Sequence, residues 1–230
     1  MNAPCSLLAW GLVCLLSLSP GPVPAAEQPY RLENEPELAL DLTGLNGPDL
    51  AAELRSLMPA ESTMGKGALR IREPDGRRHS IPFRYRIVLD QDVWHSVYER
   101  PPTGDIPGEK LAVVHSPDQP NRYLLWKNWR PDDITQEPEL LLGSEAMVPF
   151  AGSDFWLADL GLEFLHWPEQ ELVTDLKIRM RKGRPCRILD STNPASDAGG
   201  YLRVRSWIDT RTGQPILAEA YDAEGRQVGS

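Results

Sequence analysis

Ser153 and Asp154 are neighbouring side chains whose types could support hydrolysis, with the serine as the nucleophile. Residues 151–155 have the sequence Ala-Gly-Ser-Asp-Phe. They lack the second glycine of the G-x-S-x-G turn, and no strand–turn–helix unit of the parallel type is predicted around them. We therefore interpret Ser153 or Asp154 as the cap of a short helix that stops at Gly161.

The other residues with catalytic or metal-binding chemistry are scattered. The four histidines, His79, His95, His115 and His166, occur singly and without the spacing that metal sites use, so no metal centre is predicted. Cys186 lies in a strand-like segment and is interpreted as a small buried apolar residue. No glycine-rich phosphate loop is present, and no cofactor is expected.

A different chemistry is suggested by three stretches in which apolar and basic residues alternate with a period of two. These stretches are residues 83–89, 176–181 and 202–208. Because successive side chains of a strand point to opposite faces, each stretch predicts a strand with one apolar and one cationic face. The apolar face can fill a core, or it can bind an apolar ligand.

The elements that position these faces follow from turn signals. The segment 48–58 is predicted to be an amphipathic helix that starts near Asn46 and ends at Pro59. Strand-length runs follow at 68–72, 81–89, 93–99, 110–115, 122–129, 172–181, 187–190, 201–209 and 216–221. Strands that follow one another after a single helix favour a large antiparallel sheet that is curled or barrel-like.

The N-terminus has the features of an export signal. The first 26 residues contain no charged side chain, and residues 7–18 form a mostly apolar run that is short for a membrane span. Val23 and Ala25 supply the small residues of a cleavage site. We therefore predict a signal peptide at 1–25, a lead-in and helix at 26–59, a β domain at 60–230, and a periplasmic location.

Charge limits the classes of partner. The formal net charge is −9, from 33 acidic and 24 basic residues, which argues against nucleic acid as a partner. The basic residues are concentrated on the predicted strand faces. We interpret them first as solvated sheet surface and second as an electrostatic docking face.

Two sequence patterns resemble the outer-membrane lipoprotein-sorting (LolA-like) proteins of bacteria. The first is Gly152-Ser153-Asp154-Phe155 followed by an apolar helical turn, and the second is the set of hairpins from Gly183 to Asp222. The resemblance covers roughly residues 60–230. It implies a mainly β (α+β) fold, in which a curved antiparallel sheet or unclosed β-barrel is covered by short helices.

The resemblance also implies a ligand and partners. The cavity of such proteins takes the acyl chains of lipoproteins, so a lipidated protein or lipid acyl chain is the expected ligand. An inner-membrane export complex and an outer-membrane receptor are the expected partners of a monomeric, non-catalytic carrier. The apolar strand residues expected to line the cavity are Leu69, Ile71, Phe83, Tyr85, Ile87, Leu176, Ile178, Met180, Leu202, Val204 and Ile208. The residues expected to form a lid over it are Phe155, Trp156 and Leu160.

Several alternatives remain open at this point. The same apolar residues could instead pack against the helix at 50–58 and fill the interior, and the aromatic helix could be core rather than lid. The functional arginine of the resembling proteins has four candidates here, Arg70, Arg72, Arg84 and Arg86. A secreted lipid-acting hydrolase and a β-structural interaction module with a packed core are the alternative functions.

Overall fold

Strands dominate the structure, a computed structural model that describes residues 42, 44–72, 75–116, 119–153, 155–173, 178–194 and 201–229. The predicted signal peptide and most of the lead-in lie outside the described residues. No helix within the described ranges has the length and apolar character that a membrane span requires.

Helix α1 spans Gly47–Ser56 and confirms the predicted helix. It begins where the Asn46 side chain accepts a hydrogen bond from the backbone N–H of Asp49 at 2.9 Å, with a proline in the first turn. Leu50, Ala51 and Leu54 form its buried face. The helix ends at Ser56, two residues before the predicted Met58.

The N-terminal sheet contains six antiparallel strands in chain order. They are β1 (Thr63–Arg72), β2 (Arg78–Asp90), β3 (Val93–Arg100), β4 (Gly108–Ser116), β5 (Gln119–Trp129) and β6 (Glu139–Leu142). The first five confirm the predicted strands, with longer bounds. Strand β6 is missing from the sequence prediction because it has only four residues, three of which are leucine.

The C-terminal sheet is also antiparallel, in the order β12-β11-β10-β9-β7, with β8 paired to β9. Its strands are β7 (Glu169–Leu172), β8 (Arg179–Arg181), β9 (Arg184–Thr192), β10 (Arg203–Asp209), β11 (Pro215–Tyr221) and β12 (Gln227–Gly229). Strand β12 adds a further strand after the Tyr221-Asp222 turn that the sequence analysis did not predict.

One predicted strand, 172–181, is described only at its two ends. Residues 172–181 form the end of β7 and the separate strand β8, and 174–177 lie outside the described residues. Arg181 pairs directly with Arg184 across a turn in which Lys182 and Gly183 have positive φ angles of 47° and 76°. Strand β8 is therefore the short arm of a tight hairpin, and β7 and β8 both pair with β9, at Leu189–Thr192 and at Arg184–Cys186.

The two sheets are joined by residues 143–167, which we call the connector. It contains two 3-10 helices, Gly143–Ala146 and Glu163–His166, and the short helix α2, Leu157–Leu160. Connector residues belong to two buried apolar clusters, one on each sheet. Met147 and Trp156 pack against both clusters, so the connector links them.

Candidate apolar binding site

The inner face of the N-terminal sheet is the face that meets the connector. Cross-strand register places Leu69 opposite Ile81, Tyr85 opposite Tyr98, and Leu111 opposite Leu125. Directly opposed residues of antiparallel strands share a face, so these side chains form one apolar surface. The N-terminal cluster on this surface consists of Leu69, Phe83, Leu111, Val113, Tyr123, Leu125, Leu141, Ala146, Phe150, Leu157 and Ala158.

The structure brings together several of the predicted lining residues on this face. Leu69, Ile71 and Phe83 are buried, whereas Tyr85 and Ile87 are half-buried. Leu69 and Phe83 belong to the N-terminal cluster, and Tyr85 packs against it. The alternation that the sequence shows in β2 therefore corresponds to one inner, apolar face of the sheet.

Two glycines in β1 make room for aromatic rings on the inner face. A Cβ atom on Gly67 would lie 2.6 Å from the Phe83 ring, and one on Gly65 would lie 2.6 Å from the Tyr85 hydroxyl. The rings of Phe83 and Tyr85 can therefore cross β1 at the glycines only because no side chain stands there. The glycines set the shape of the apolar surface at this edge.

The connector covers part of this surface with apolar side chains. Phe150, Leu157 and Ala158 are at most 1% exposed within the N-terminal cluster. The predicted lid residues Phe155, Trp156 and Leu160 are only half-buried and pack against the same cluster. The predicted lid residues and the predicted lining residues Leu69, Phe83 and Tyr85 thus all belong to the N-terminal cluster or pack against it.

The helix predicted for this segment is shorter in the structure, and its N-cap is a different residue. Helix α2 begins at Leu157, with Trp156 as its N-cap. Ser153 instead closes the preceding turn, because its hydroxyl donates to the Phe150 carbonyl at 2.6 Å and accepts from Phe155 N–H at 3.1 Å. The prediction of Ser153 as the helix cap is therefore wrong, and Asp154 lies outside the described residues.

A buried polar contact fixes the connector to β5. The Tyr123 hydroxyl donates to Glu163 Oε2 at 2.8 Å. Asn121 Nδ2 donates to the same oxygen at 3.2 Å and to the Gly161 carbonyl at 2.8 Å. These bonds satisfy polar groups that burial would otherwise leave unpaired.

A second polar contact joins α2 to Tyr201, which lies two residues before β10. The Tyr201 hydroxyl donates to Asp159 Oδ1, and Asp159 Oδ2 accepts from Trp156 N–H at 3.0 Å. From the other side, the Tyr98 hydroxyl donates to the Leu160 carbonyl at 3.3 Å. Tyr98 of β3 and Tyr201, just before β10, therefore hold the half-buried segment of the connector.

Burial shifts the pKa values of the groups in these contacts. Burial raises the pKa of Asp159 to about 6 and also raises the pKa of Glu163. The pKa of Tyr123 is raised by burial and by the neighbouring Glu163 carboxylate. The cause is the same in each case, since a low-dielectric environment disfavours the charged form.

A neighbouring histidine belongs to the same inner face. His115 stacks on Trp94, with ring centroids 3.8 Å apart, and its Nε2 lies 3.1 Å from the Ser96 hydroxyl. Burial lowers the pKa of His115 to about 4. The imidazole is therefore neutral at pH 7 and serves as a hydrogen-bonding core residue.

The remaining predicted lining residues are placed elsewhere. Val204 and Ile208 are buried in the C-terminal cluster with Leu50 and Leu54 of α1, and Leu202 is half-buried. Val204 and Ile208 therefore share a cluster with helix α1, as the alternative interpretation of the apolar strand residues proposed.

The residues predicted in 176–181 are not in either cluster. Ile178 and Met180 are 57% and 66% exposed at the β8 hairpin, and Leu176 lies outside the described residues. Their assignment to a cavity stays a prediction.

Among the described residues, no group of three or more His, Cys, Asp or Glu could hold a metal ion. Cys186 is fully buried, and its thiol contacts the Arg184 carbonyl at 3.4 Å. Burial raises the pKa of this thiol, which disfavours the reactive thiolate.

Sequence reasoning missed the polar groups that hold the connector. Asp159 and Glu163 are acidic residues within an otherwise apolar stretch, and that was the available signal. Their partners Tyr123 and Tyr201 are 40 and 42 residues away in the chain. Only the fold shows that they meet.

Two solved structures share this architecture. One is a domain named for outer membrane lipoprotein sorting from Vibrio parahaemolyticus, with a TM-score of 0.58 and 17% identity over 79% of this chain and 74% of that chain. The other is a DUF1329 family protein from Desulfovibrio piger, with a TM-score of 0.56, 19% identity and the same coverage. The predicted LolA-like fold, with its antiparallel sheets and short helices, is confirmed.

The sequence model of a protein family, described as "uncharacterized protein", matches residues 111–228, just over half of the chain. The chain belongs to this family. A search of curated protein sequences finds no match.

Proposed function

We propose that this protein is a non-catalytic carrier that shields an acyl chain of a lipoprotein, or of another lipid, against the inner face of the N-terminal sheet. The observation that carries the proposal is the half-buried apolar group around the N-terminal cluster. This group includes Ile81, Tyr85, Tyr98, Phe155, Trp156 and Leu160. The similarity in fold to a domain named for lipoprotein sorting supports the same function.

The apolar surface is suited to a hydrocarbon chain because binding requires only burial. At about 25 cal/mol per Å2, an acyl chain that loses about 300 Å2 of exposed surface gains several kcal/mol. That gain alone is on the scale of a micromolar complex, and immobilisation of the chain weakens the net affinity. No covalent step is needed.

The connector supplies the movable cover in this proposal. Phe155, Trp156 and Leu160 would move aside to admit the chain, whereas Phe150 and Leu157 are fully buried and would stay in place. The polar contacts of Asp159 and Glu163 lie directly beside the moving residues, so they would set the free energy of opening.

The carrier would act as a monomer in the periplasm after removal of its signal peptide. An inner-membrane export complex would supply the lipidated cargo, and an outer-membrane receptor would accept it. Leu202, Ile178 and Met180 remain proposed contacts for parts of the cargo beyond the N-terminal cluster.

The test is binding of a fluorescent fatty acid to the purified protein, followed by displacement with a synthetic lipopeptide. Ile87→Asp is the first variant, because Ile87 is half-buried on the inner face. Val88→Asp is the matched control, since Val88 is 38% exposed on the opposite face of the same strand. We expect Ile87→Asp to weaken binding at least tenfold and Val88→Asp to change it less than twofold.

Equal effects of the two substitutions, or no binding by the unchanged protein, would contradict the proposal and favour an interaction module with a packed core. Ile178 lies at the exposed β8 hairpin, away from the inner face. Fatty acid binding by Ile178→Asp therefore tests this second group of predicted lining residues separately. Release of product from a lipid ester, lost in Ser153→Ala, would instead support the hydrolase.

A further inference from the structure

The outer face of the β1–β2 hairpin carries a group of cations that the proposed acyl site does not use. This hairpin face consists of Lys66, Arg70, Arg84 and Arg86, with Met64 beside them. Register places them on the side opposite to Leu69, Phe83 and Tyr85. The same two strands therefore have an apolar inner face and a cationic outer face.

Two of these cations face each other across the hairpin, while Glu99 of β3 lies opposite Arg84 on the other side of β2. Lys66 lies directly opposite Arg84 in the register, and like charges in this position destabilise a strand pair. Both side chains are exposed, as is Arg70. Arg86 is the member of the group with a carboxylate partner, Glu99 at 2.7 Å, while Lys66, Arg70 and Arg84 have no ion pair among the described residues.

The exposed Met64 adds an apolar contact to this charge. Its side chain is 75% exposed and lies opposite Arg86 at the start of β1. A cationic sheet face with an exposed apolar residue is complementary to a layer of anionic headgroups. This local positive charge contrasts with the net charge of −9 of the chain as a whole.

We propose that the hairpin face docks the protein on a membrane surface that contains anionic phospholipids. Docking goes beyond the carriage of an acyl chain, because it does not require the inner face to be occupied. It would place the edge strand β1, which carries Leu69 on its inner face, next to the lipid layer from which a chain would enter.

The test is sedimentation of the purified protein with vesicles of phosphatidylethanolamine and phosphatidylglycerol, compared with vesicles of phosphatidylcholine alone. We expect binding to the anionic vesicles alone, with a loss on the order of tenfold when salt rises from about 50 mM to about 300 mM. Equal binding to both vesicles, or binding that does not depend on salt, would overturn the proposal.

Charge reversal identifies the surface. Lys66→Glu/Arg84→Glu should weaken vesicle binding on the order of tenfold. Arg179→Glu/Arg211→Glu is the matched control, because it makes the same change in net charge at exposed positions of the C-terminal sheet and its turn. Equal losses in the two double variants would mean that net charge alone governs binding and would overturn the proposal.

The single variant Lys66→Glu separates docking from folding. It replaces the like-charge pair with an opposite-charge pair, so the midpoint of urea unfolding should rise while vesicle binding falls. A fall in both would attribute the loss to damaged structure and overturn the assignment. Fatty acid binding is measured separately, so failure of vesicle docking and failure of the acyl site are distinguishable.

Discussion

The hydroxyl of Tyr123 donates a hydrogen bond to Glu163 Oε2 at 2.8 Å, which joins the centre of β5 to the connector. Both residues are buried, with Tyr123 fully inaccessible to solvent. Within the described residues the two sheets share no paired strand, and both pack against the connector, which this buried contact fixes to β5.

Tyr123→Phe should lower the free energy of unfolding by about 1–3 kcal/mol, because the buried Glu163 carboxyl loses a donor. Urea unfolding measures the change. Tyr221→Phe is the control, since its half-buried hydroxyl lies 3.5 Å from Glu219 and should contribute less. In a double-mutant cycle with Glu163→Gln the two losses should not add, and full additivity would contradict the contact.

Asp159 should make stability depend on pH. Its pKa is raised to about 6 in the folded protein from an ordinary value of 3.8, so its stabilising contribution is complete below pH 3.8 and is lost as the pH rises through 6. Relative to Asp159→Asn, the native protein should therefore lose about 2–3 kcal/mol of unfolding free energy between pH 4 and pH 7. Urea unfolding at several pH values measures this difference, and a difference that is independent of pH would contradict it.

His115 should contribute a pH dependence of stability with the opposite sign to that of Asp159. Its pKa is lowered to about 4 from 6.5, so its contribution to stability is present above pH 6.5 and is lost as the pH falls through 4. Nuclear magnetic resonance of the imidazole protons should show no titration of His115 above about pH 5. Titration near pH 6.5 would mean that the stacked ring beside Trp94 is open to water.

Gly67→Ala should destabilise the protein by about 1–3 kcal/mol, because the added Cβ would lie 2.6 Å from the Phe83 ring. The free energy of unfolding measures the effect. In a Phe83→Leu background the same substitution should cost less, since the ring that it meets has been removed. An equal cost in both backgrounds would place the cause in the β1 backbone and not in the ring contact.

Local patterns predicted which side chains lie on the inner face of the N-terminal sheet. The alternation around Phe83 and Tyr85 predicted the face, because side-chain direction in a strand is a local property. The same alternation at Ile178 and Met180 occurs at the exposed β8 hairpin, and alternation alone does not reveal which face a neighbouring element covers.

The polar contacts that hold the connector could not be predicted from the spacing of residues in the sequence. Glu163 meets Tyr123 only after β5 and the connector pack, and the residues are 40 positions apart. The connector itself was recognised as an apolar stretch. Its short helix begins later than predicted because Ser153 closes a turn, and the Trp156 N–H at the N-cap is bound by Asp159.

The most direct test of the acyl site is photo-crosslinking with a fatty acid that carries a diazirine near the end of its chain, followed by peptide mapping. We predict labels on the inner-face residues Leu69, Tyr85 and Ile87 and on the connector near Trp156, with competition by an unlabelled lipopeptide. Labels confined to outer-face residues such as Val88, or labels that the competitor does not remove, would contradict the account.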